Sequence, residues 1–514
     1  MAEKKDFQKI IISTFSRFSY YIMSLIALFF LTPFTINKLG NYNYGVWVLV
    51  SIFADYSCFT ELGINSAIER NLAVAISNND EKYFNKIFIN GLFLNIITFL
   101  IITTVTLLAS SGFIVFNFKN YEIIAPLILL VGLSTAFMFP FRTYTAILTA
   151  NIRFEITSYI RLVELSIRSI LIVLFLLKGY GLVALGFSLF ISTMISNVLF
   201  CIFGKKLASF LNLKFSYINK ETLKDLFKFG LKTFIIQLSN MLRFKLDEIV
   251  IGAFISVKSI TSYSIANKLN TNANQFYSSF LDVFNPFFAQ QLNNQSKENT
   301  KKMYFLFSKV TISLTTFIFS GFLLLGYPFI KLWMGINYVN AYYPLIILGA
   351  AYYLTYIQAV GVNYIFAINK HQYLGYVTIF EGILNLILSI MFVLTFKLGI
   401  IGVALGTLVA SITTKIFIQP LIVCYFLQIT KKTYYKFYLT NLFKGLTLYS
   451  FVGYGIWVLN INNYSVIVLS GFALLITAII HFIIILNKDE KIFLINKMIS
   501  KYAFIENILI KINN

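Results

Sequence analysis

Fourteen ionisable side chains interrupt apolar runs that would otherwise cross a bilayer unbroken, and they are the residues in this chain best placed to do chemistry. Seven are basic: Arg17, Arg142, Arg168, Arg243, Lys245, Lys268 and Lys415. Seven are acidic: Asp55, Glu61, Glu164, Asp247, Glu248, Asp282 and Glu381. Charges at membrane depth are costly, so each must pair, face water or meet a ligand. Glu164 with Arg168 and Arg243 with Asp247 lie four apart, and Lys245 with Glu248 three apart, so each pair shares a helical face and can neutralise internally. Direct contact with a ligand is the equal alternative for these pairs.

Arg142, Asp282 and Lys415 fall near inner helix ends, where snorkelling to the interface accounts for them. Lys268 has no acid within four positions of it along its own helix. An ammonium at its depth must find water, a neighbouring helix or an anion. Phosphate oxygens gain strongly from such cations through charge-assisted hydrogen bonds. Lys268, Arg243, Lys245, Arg168 and Arg17 are therefore the candidate set for an anionic ligand. Asp55, Glu61, Asp247 and Glu381 are the mirror set, suited to salt bridging those cations or to binding a coupling ion. Asn65, Asn71, Asn240, Asn363 and the run from Asn267 to Gln275 would suit a polar, hydroxyl-bearing ligand, although asparagine is common along the whole chain.

The elements holding these charges follow from composition. Of 514 residues, 58% are hydrophobic and 12% charged, against about 25% charged in soluble domains. Apolar runs of the ~20 residues needed to span hydrocarbon recur throughout. They are continuous rather than alternating, so the expectation is an all-α integral membrane protein. Fourteen spans are placed, at roughly 15–37, 44–67, 87–111, 123–146, 160–177, 181–203, 229–254, 260–284, 305–327, 343–367, 375–396, 400–426, 440–460 and 464–486. The outer loops hold only Lys38, Lys119, Lys178, Lys258, Lys331 and Lys397, so most of the 42 Lys and Arg face inward and both termini should be cytoplasmic. The net charge of +22 then marks a surface facing anionic lipid, not nucleic acid.

A weak duplication organises the spans. Leu39–Trp47 is echoed at Val257–Ile265, Pro126–Leu130 at Pro344–Leu348, and Val183–Gly186 at Val403–Gly406, the last two at offsets of 218 and 220 residues. A unit of that length holds six spans, so the copies share an orientation and form a parallel repeat. The expected organisation is a six-helix bundle over 1–204, a cytoplasmic connector over 205–228, a second six-helix bundle over 229–427, two extra helices over 428–487, and an interfacial cytoplasmic tail over 488–514.

In order and spacing, these features resemble the Wzx-type polysaccharide (O-antigen and capsule) flippases of the multidrug/oligosaccharidyl-lipid/polysaccharide superfamily. The resemblance rests on Leu39-Gly40 with Tyr44-Gly45-Val46-Trp47, Glu61-Leu62-Gly63-Ile64 with Ala67 and Arg70, Asp247, Tyr263 to Lys268, and Trp333-Met334-Gly335. It implies alternating access by two six-helix bundles around a central cavity, with Arg17 on a cavity-lining span. It further implies an undecaprenyl-diphosphate-linked oligosaccharide carried from the inner to the outer leaflet of a bacterial cytoplasmic membrane. Partners would be that lipid, the surrounding membrane lipids, a proton or sodium ion, and the glycan polymerase machinery. A cation-coupled drug exporter of the same fold, worked by the four acids above, and a lipid II-type flippase remain open alternatives.

An enzyme is not expected. The three cysteines Cys58, Cys201 and Cys424 and the histidines His371 and His481 are scattered without metal-ligand spacing. No nucleophile triad, phosphate loop or cofactor motif is present.

Overall fold

In a computed structural model, the chain is described over residues 2–111, 121–244, 246–281, 297–368, 370–458 and 463–492, all as helices and the turns joining them. It divides into two compact units, Met1–Thr261 and Ser262–Asn514. The repeat placed the division in the 205–228 connector. It falls later because the helices after the connector pack onto the first unit.

The first unit begins with α1 (Ala2–Ser57), a 56-residue run broken at Gly40, whose φ of 76° and ψ of 166° are not helical. The break divides it into the first two expected spans. A 3₁₀ turn, Cys58–Glu61, and two residues of positive φ, Leu62 and Gly63, then interrupt the second span before α2 (Ile64–Ser77) resumes it. Two such residues in succession make a bend that a continuous helix cannot absorb. After it come α3 (Glu81–Ser110), α4 (Tyr121–Ala150), α5 (Phe154–Leu177) and α6 (Val183–Leu207). The main packing pairs are α4 with α6 and α3, α5 with α6, and α1 with α5.

Beyond the connector, α7 (Lys220–Phe244) packs on α2 and α3, and α8 (Leu246–Phe254) on α1. The connector is held by two buried asparagines of α3. Asn85 Oδ1 accepts from the backbone of Asn212 at 2.7 Å. Asn90 Oδ1 accepts from the backbone of Asn219 at 2.9 Å, and its Nδ2 donates to the Tyr217 carbonyl at 2.8 Å. Near the unit's end, α9 (Val257–Leu281) starts against α1: Thr261 Oγ1 donates to the Asn41 carbonyl at 2.7 Å. The carbonyl of Val257 fills the space a Cβ on Gly45 would occupy. The first echoed motif and its copy therefore touch, and glycine is what permits the approach.

The second unit is built around α10 (Lys297–Trp333), which packs against α11 (Tyr342–Ile357), α16 (Lys431–Val458) and α17 (Tyr464–Ile485). At Gln358 the chain bends by 40° into α12 (Ala359–Ala367). The hairpin of α13 (His371–Leu394) and α14 (Gly399–Ile412) follows, then a π-helical turn, Thr413–Ile418, and α15 (Gln419–Leu427). The turn places Lys415 inward, 3.0 Å from Glu381 Oε2, and Ser411 Oγ donates to Glu381 Oε1 at 2.9 Å. Lys415 also donates to Gln419 Oε1 at 3.0 Å, and Gln358 Nε2 donates to the Lys415 carbonyl at 3.1 Å. The expected snorkelling of Lys415 is therefore wrong: with its side chain 6% exposed, it is the buried partner of Glu381. Interhelical pairing, one of the two readings of Glu381, is what the fold adopts.

Eight of the described helices are long and apolar enough to cross a membrane, and the bent α11–α12 segment makes a ninth. The fourteen expected spans are reconciled with that number by two facts. One of the eight, Phe18–Ser57, runs through the Gly40 break and covers two spans. The helices α7, α9 and α16, of 25, 25 and 28 residues, are long enough but too polar to pass, and α5, of 24 residues, is apolar enough but carries three charges, Arg161, Glu164 and Arg168, in any stretch long enough to span. The interfacial helix expected after residue 488 lies almost wholly outside the described residues.

Two outcomes test this packing. Asn90→Leu strands two backbone groups of the connector, which should cost about 1–3 kcal/mol for each buried orphan and appear as a lower Tm of the detergent-solubilised protein. Glu381→Leu leaves a buried ammonium uncompensated and should cost about 3–5 kcal/mol, whereas the double change Glu381→Leu with Lys415→Leu should cost far less. Equal losses in single and double variants would contradict the pairing.

Candidate functional site

The first unit holds an open-mouthed chamber of about 700 Å³ lined by α1, α2, α4, α5 and α6 and the turn between α1 and α2. Its charged residues, among those described, are Asp55, Glu61, Glu69 and Glu164 with Arg142, Arg161 and Arg168. Helical spacing explains one wall. Arg161, Glu164 and Arg168 stand at i, i+3 and i+7 on α5, so all three share a face. Arg161 Nη1 lies 3.1 Å from Glu164 Oε2, and Arg168 pairs with Glu164 Oε1. Arg168 Nε donates to Ser192 Oγ on α6 at 3.2 Å, and the Arg161 guanidinium lies 5.5 Å from the Phe200 ring centroid. Both arginines are thereby oriented from two sides.

The opposite wall is organised by the break in the second span. Glu61, 6% exposed, accepts from the backbone N–H of Asn65 at 2.8 Å through Oε1 and so caps the first turn of α2. Its Oε2 pairs with Arg142 of α4, whose guanidinium lies 4.9 Å from the Phe139 ring centroid. One carboxylate thus holds both a helix end and a chamber cation. Asn65 Nδ2 donates to Glu69 Oε1 at 3.2 Å. Between these walls stand Trp47, Ser51, Ser134, Thr135, Thr145, Thr193, Ser196 and Asn197. Such hydroxyls and amides can bond sugar oxygens, and the arginines phosphoryl oxygens.

The sequence-derived candidates are distributed as follows. Arg168, Asp55 and Glu61 line the chamber. Asp247 is buried in α8 of the first unit but does not line it. Lys268 lies in the second unit on α9, half-buried, and it has a bonding partner, so it is not the isolated ammonium that spacing along its own helix implied. Glu381 belongs to the second unit's buried ion pair. The side chains of Arg17, Arg243 and Lys245 lie outside the described residues, as does Asp282. Arg142 was assigned to snorkelling. That reading is corrected by its pairing with Glu61, 81 residues away in sequence.

Arg161, Glu69 and Asn197 were not singled out. The i, i+3, i+7 spacing on α5 was the available signal for Arg161. Asn197 carried none, being one asparagine among many.

A family profile described as "Polysaccharide biosynthesis protein" matches residues 7–292, more than half of the chain. The chain belongs to that family. Among curated proteins, it is 23% identical over 416 residues to the "Uncharacterized membrane protein EpsK" of Bacillus subtilis (strain 168), covering 78% of this chain and 81% of that protein. Among solved structures, its fold is similar to an inward-facing multidrug resistance MATE family transporter of the MOP superfamily. That match has a TM-score of 0.67 at 15% identity and covers 81% of this chain and 99% of the other. It is also similar to the lipid II flippase MurJ in an inward closed conformation, with a TM-score of 0.66 at 17% identity, over 93% and 98% of the two chains. At these identities the likeness is one of fold: an all-helical, multi-pass membrane transporter architecture. The neighbours are transporters and a flippase, not enzymes.

Glu61 offers a direct check on the site's construction. Glu61→Gln keeps an oxygen to cap α2 while removing the charge facing Arg142; Glu61→Leu removes both. The leucine variant should be less stable than the glutamine variant by about 1–3 kcal/mol, measured as the difference in their unfolding free energies. Equal stabilities would deny the capping role.

Proposed function

We propose that this protein flips a lipid-linked oligosaccharide, with its polyprenyl diphosphate head, from the cytoplasmic to the outer leaflet of a bacterial cytoplasmic membrane by alternating access. Both termini are cytoplasmic in this reading. The observation that carries it is the composition of the chamber. Three arginines, two paired with Glu164 and one with Glu61, reach a chamber that also carries Asp55 and Glu69 and is lined by hydroxyls and amides, donors suited to a sugar diphosphate. Membership in the polysaccharide biosynthesis family agrees with it. The prenyl chain remains in lipid while the head crosses. With no nucleotide-binding motif in the chain, net direction comes from an ion gradient or from consumption of the lipid outside.

The drug-exporter reading needs carboxylates free to meet an organic cation. Of the four acids that reading uses, Glu61 and Glu381 are instead engaged by Arg142 and Lys415, which works against it. A lipid II-type flippase uses the same fold and a similar head group, and differs in the consequence of its loss.

Deletion separates the three. Loss of surface glycan with accumulation of its lipid-linked unit inside viable cells is the expected result. Heightened sensitivity to cationic drugs with glycan intact would favour the exporter, and lethality through failed cell-wall synthesis the lipid II reading. In the same strain, Arg168→Ala and Arg142→Ala should each lower glycan export by roughly tenfold or more at unchanged protein level, the scale of a lost charge-assisted contact. Undiminished export in both would remove the chamber from the mechanism.

A further inference from the structure

The α5–α6 wall of the chamber is already occupied by an anion of the protein's own. Glu164 is buried beneath two guanidiniums that are themselves open to the chamber: its side chain is 7% exposed, against 43% for Arg161 and 32% for Arg168. One negative charge between two positive ones leaves an excess of one positive charge on that wall. A second observation points outward from the same surface. Asn197, 3% exposed, lines the chamber, and its Nδ2 has no hydrogen-bond partner among the described residues. A buried amide donor without an acceptor is unfavourable unless a ligand oxygen completes it.

We propose that Glu164 is a resident competitor for the cargo's anionic head, and that the α5–α6 wall is a subsite selecting diphosphate over monophosphate lipids. The proposal rests on the flippase reading above. A monophosphate head carries about −1.5 to −2 near neutral pH, so at Arg161 and Arg168 it exceeds the carboxylate it displaces by at most about one charge. A diphosphate brings more charge and more acceptor oxygens than the carboxylate it displaces. It can take both guanidiniums while Ser192 continues to orient Arg168. Asn197 Nδ2 then donates to a phosphoryl oxygen or to the first sugar. The other charges facing the chamber are Asp55 from α1, Glu61 and Glu69 flanking the break into α2, and Arg142 from α4. Glu61 already holds Arg142, so the competition centres on Glu164.

The test compares binding of geranylgeranyl diphosphate and geranylgeranyl monophosphate to the full chain in lipid nanodiscs by calorimetry. The wild-type protein should prefer the diphosphate by about tenfold or more. Glu164→Gln keeps the shape but not the charge, and should bind both lipids about tenfold tighter, because neither then displaces a carboxylate. Glu164→Asp, shorter by one methylene, should move the same way to a smaller extent, and it serves if the glutamine variant does not fold. Asn197→Leu should weaken both lipids several-fold with the preference kept. If Glu164→Gln and Glu164→Asp bind each lipid only as tightly as the wild-type protein does, or more weakly, Glu164 only orients its arginines and the proposal is overturned. If the wild-type protein binds neither lipid, the flippase reading fails first and takes the subsite with it.

Discussion

Charge compensation inside the bilayer is the constraint on which the rest of this molecule depends. Hydrocarbon offers no water to an ammonium or a carboxylate, so each must be met by the protein itself. The chain does this in two distinct ways. In the second unit, Lys415 and Glu381 are both removed from solvent and enclosed by Ser411, Gln419 and Gln358. In the first unit, the arginines stay partly open while their carboxylates are buried beneath them. The same chemistry therefore yields a closed bolt in one unit and an accessible ionic surface in the other.

Irregular backbone goes with both. The second span is interrupted at Leu62 and Gly63, and Glu61 at that interruption caps α2 and holds Arg142. The π-helical turn around Lys415 and the bend at Gln358 are bonded to each other through the Lys415 carbonyl. Departures from regular helix are tolerated at membrane depth only where buried groups satisfy the freed backbone. Here the satisfying groups are also the charged ones, so the position of a helix break and the position of an ion pair are one structural fact.

Much of the architecture was legible in the chain because hydropathy and loop charge are local properties. Span positions, the tight connections and the echoed motifs could all be read from consecutive residues. The pairing of Glu164 with Arg168 was legible for the same reason, since both lie on one helix. Arg142 with Glu61 was not, because the partners lie on different helices and only packing brings them together. Lys415 was misread because its place near an expected inner helix end suggested snorkelling, whereas the π-helical turn brings it to Glu381 on another helix. Asn197 was invisible because its significance is an unsatisfied donor, which exists only once neighbours are in place.

The polarity of α5 carries a consequence for how the protein is made. Its face bears Arg161, Glu164 and Arg168, and each would cost on the order of 2–3 kcal/mol to partition alone from the translocon into lipid. The adjoining α6 passes the hydropathy test easily and supplies Ser192 to Arg168. Entering the bilayer as a hairpin with α6 lets α5 meet those charges within the protein rather than singly in lipid. The charged wall of the chamber thereby ties the insertion cost of one helix to the presence of the next.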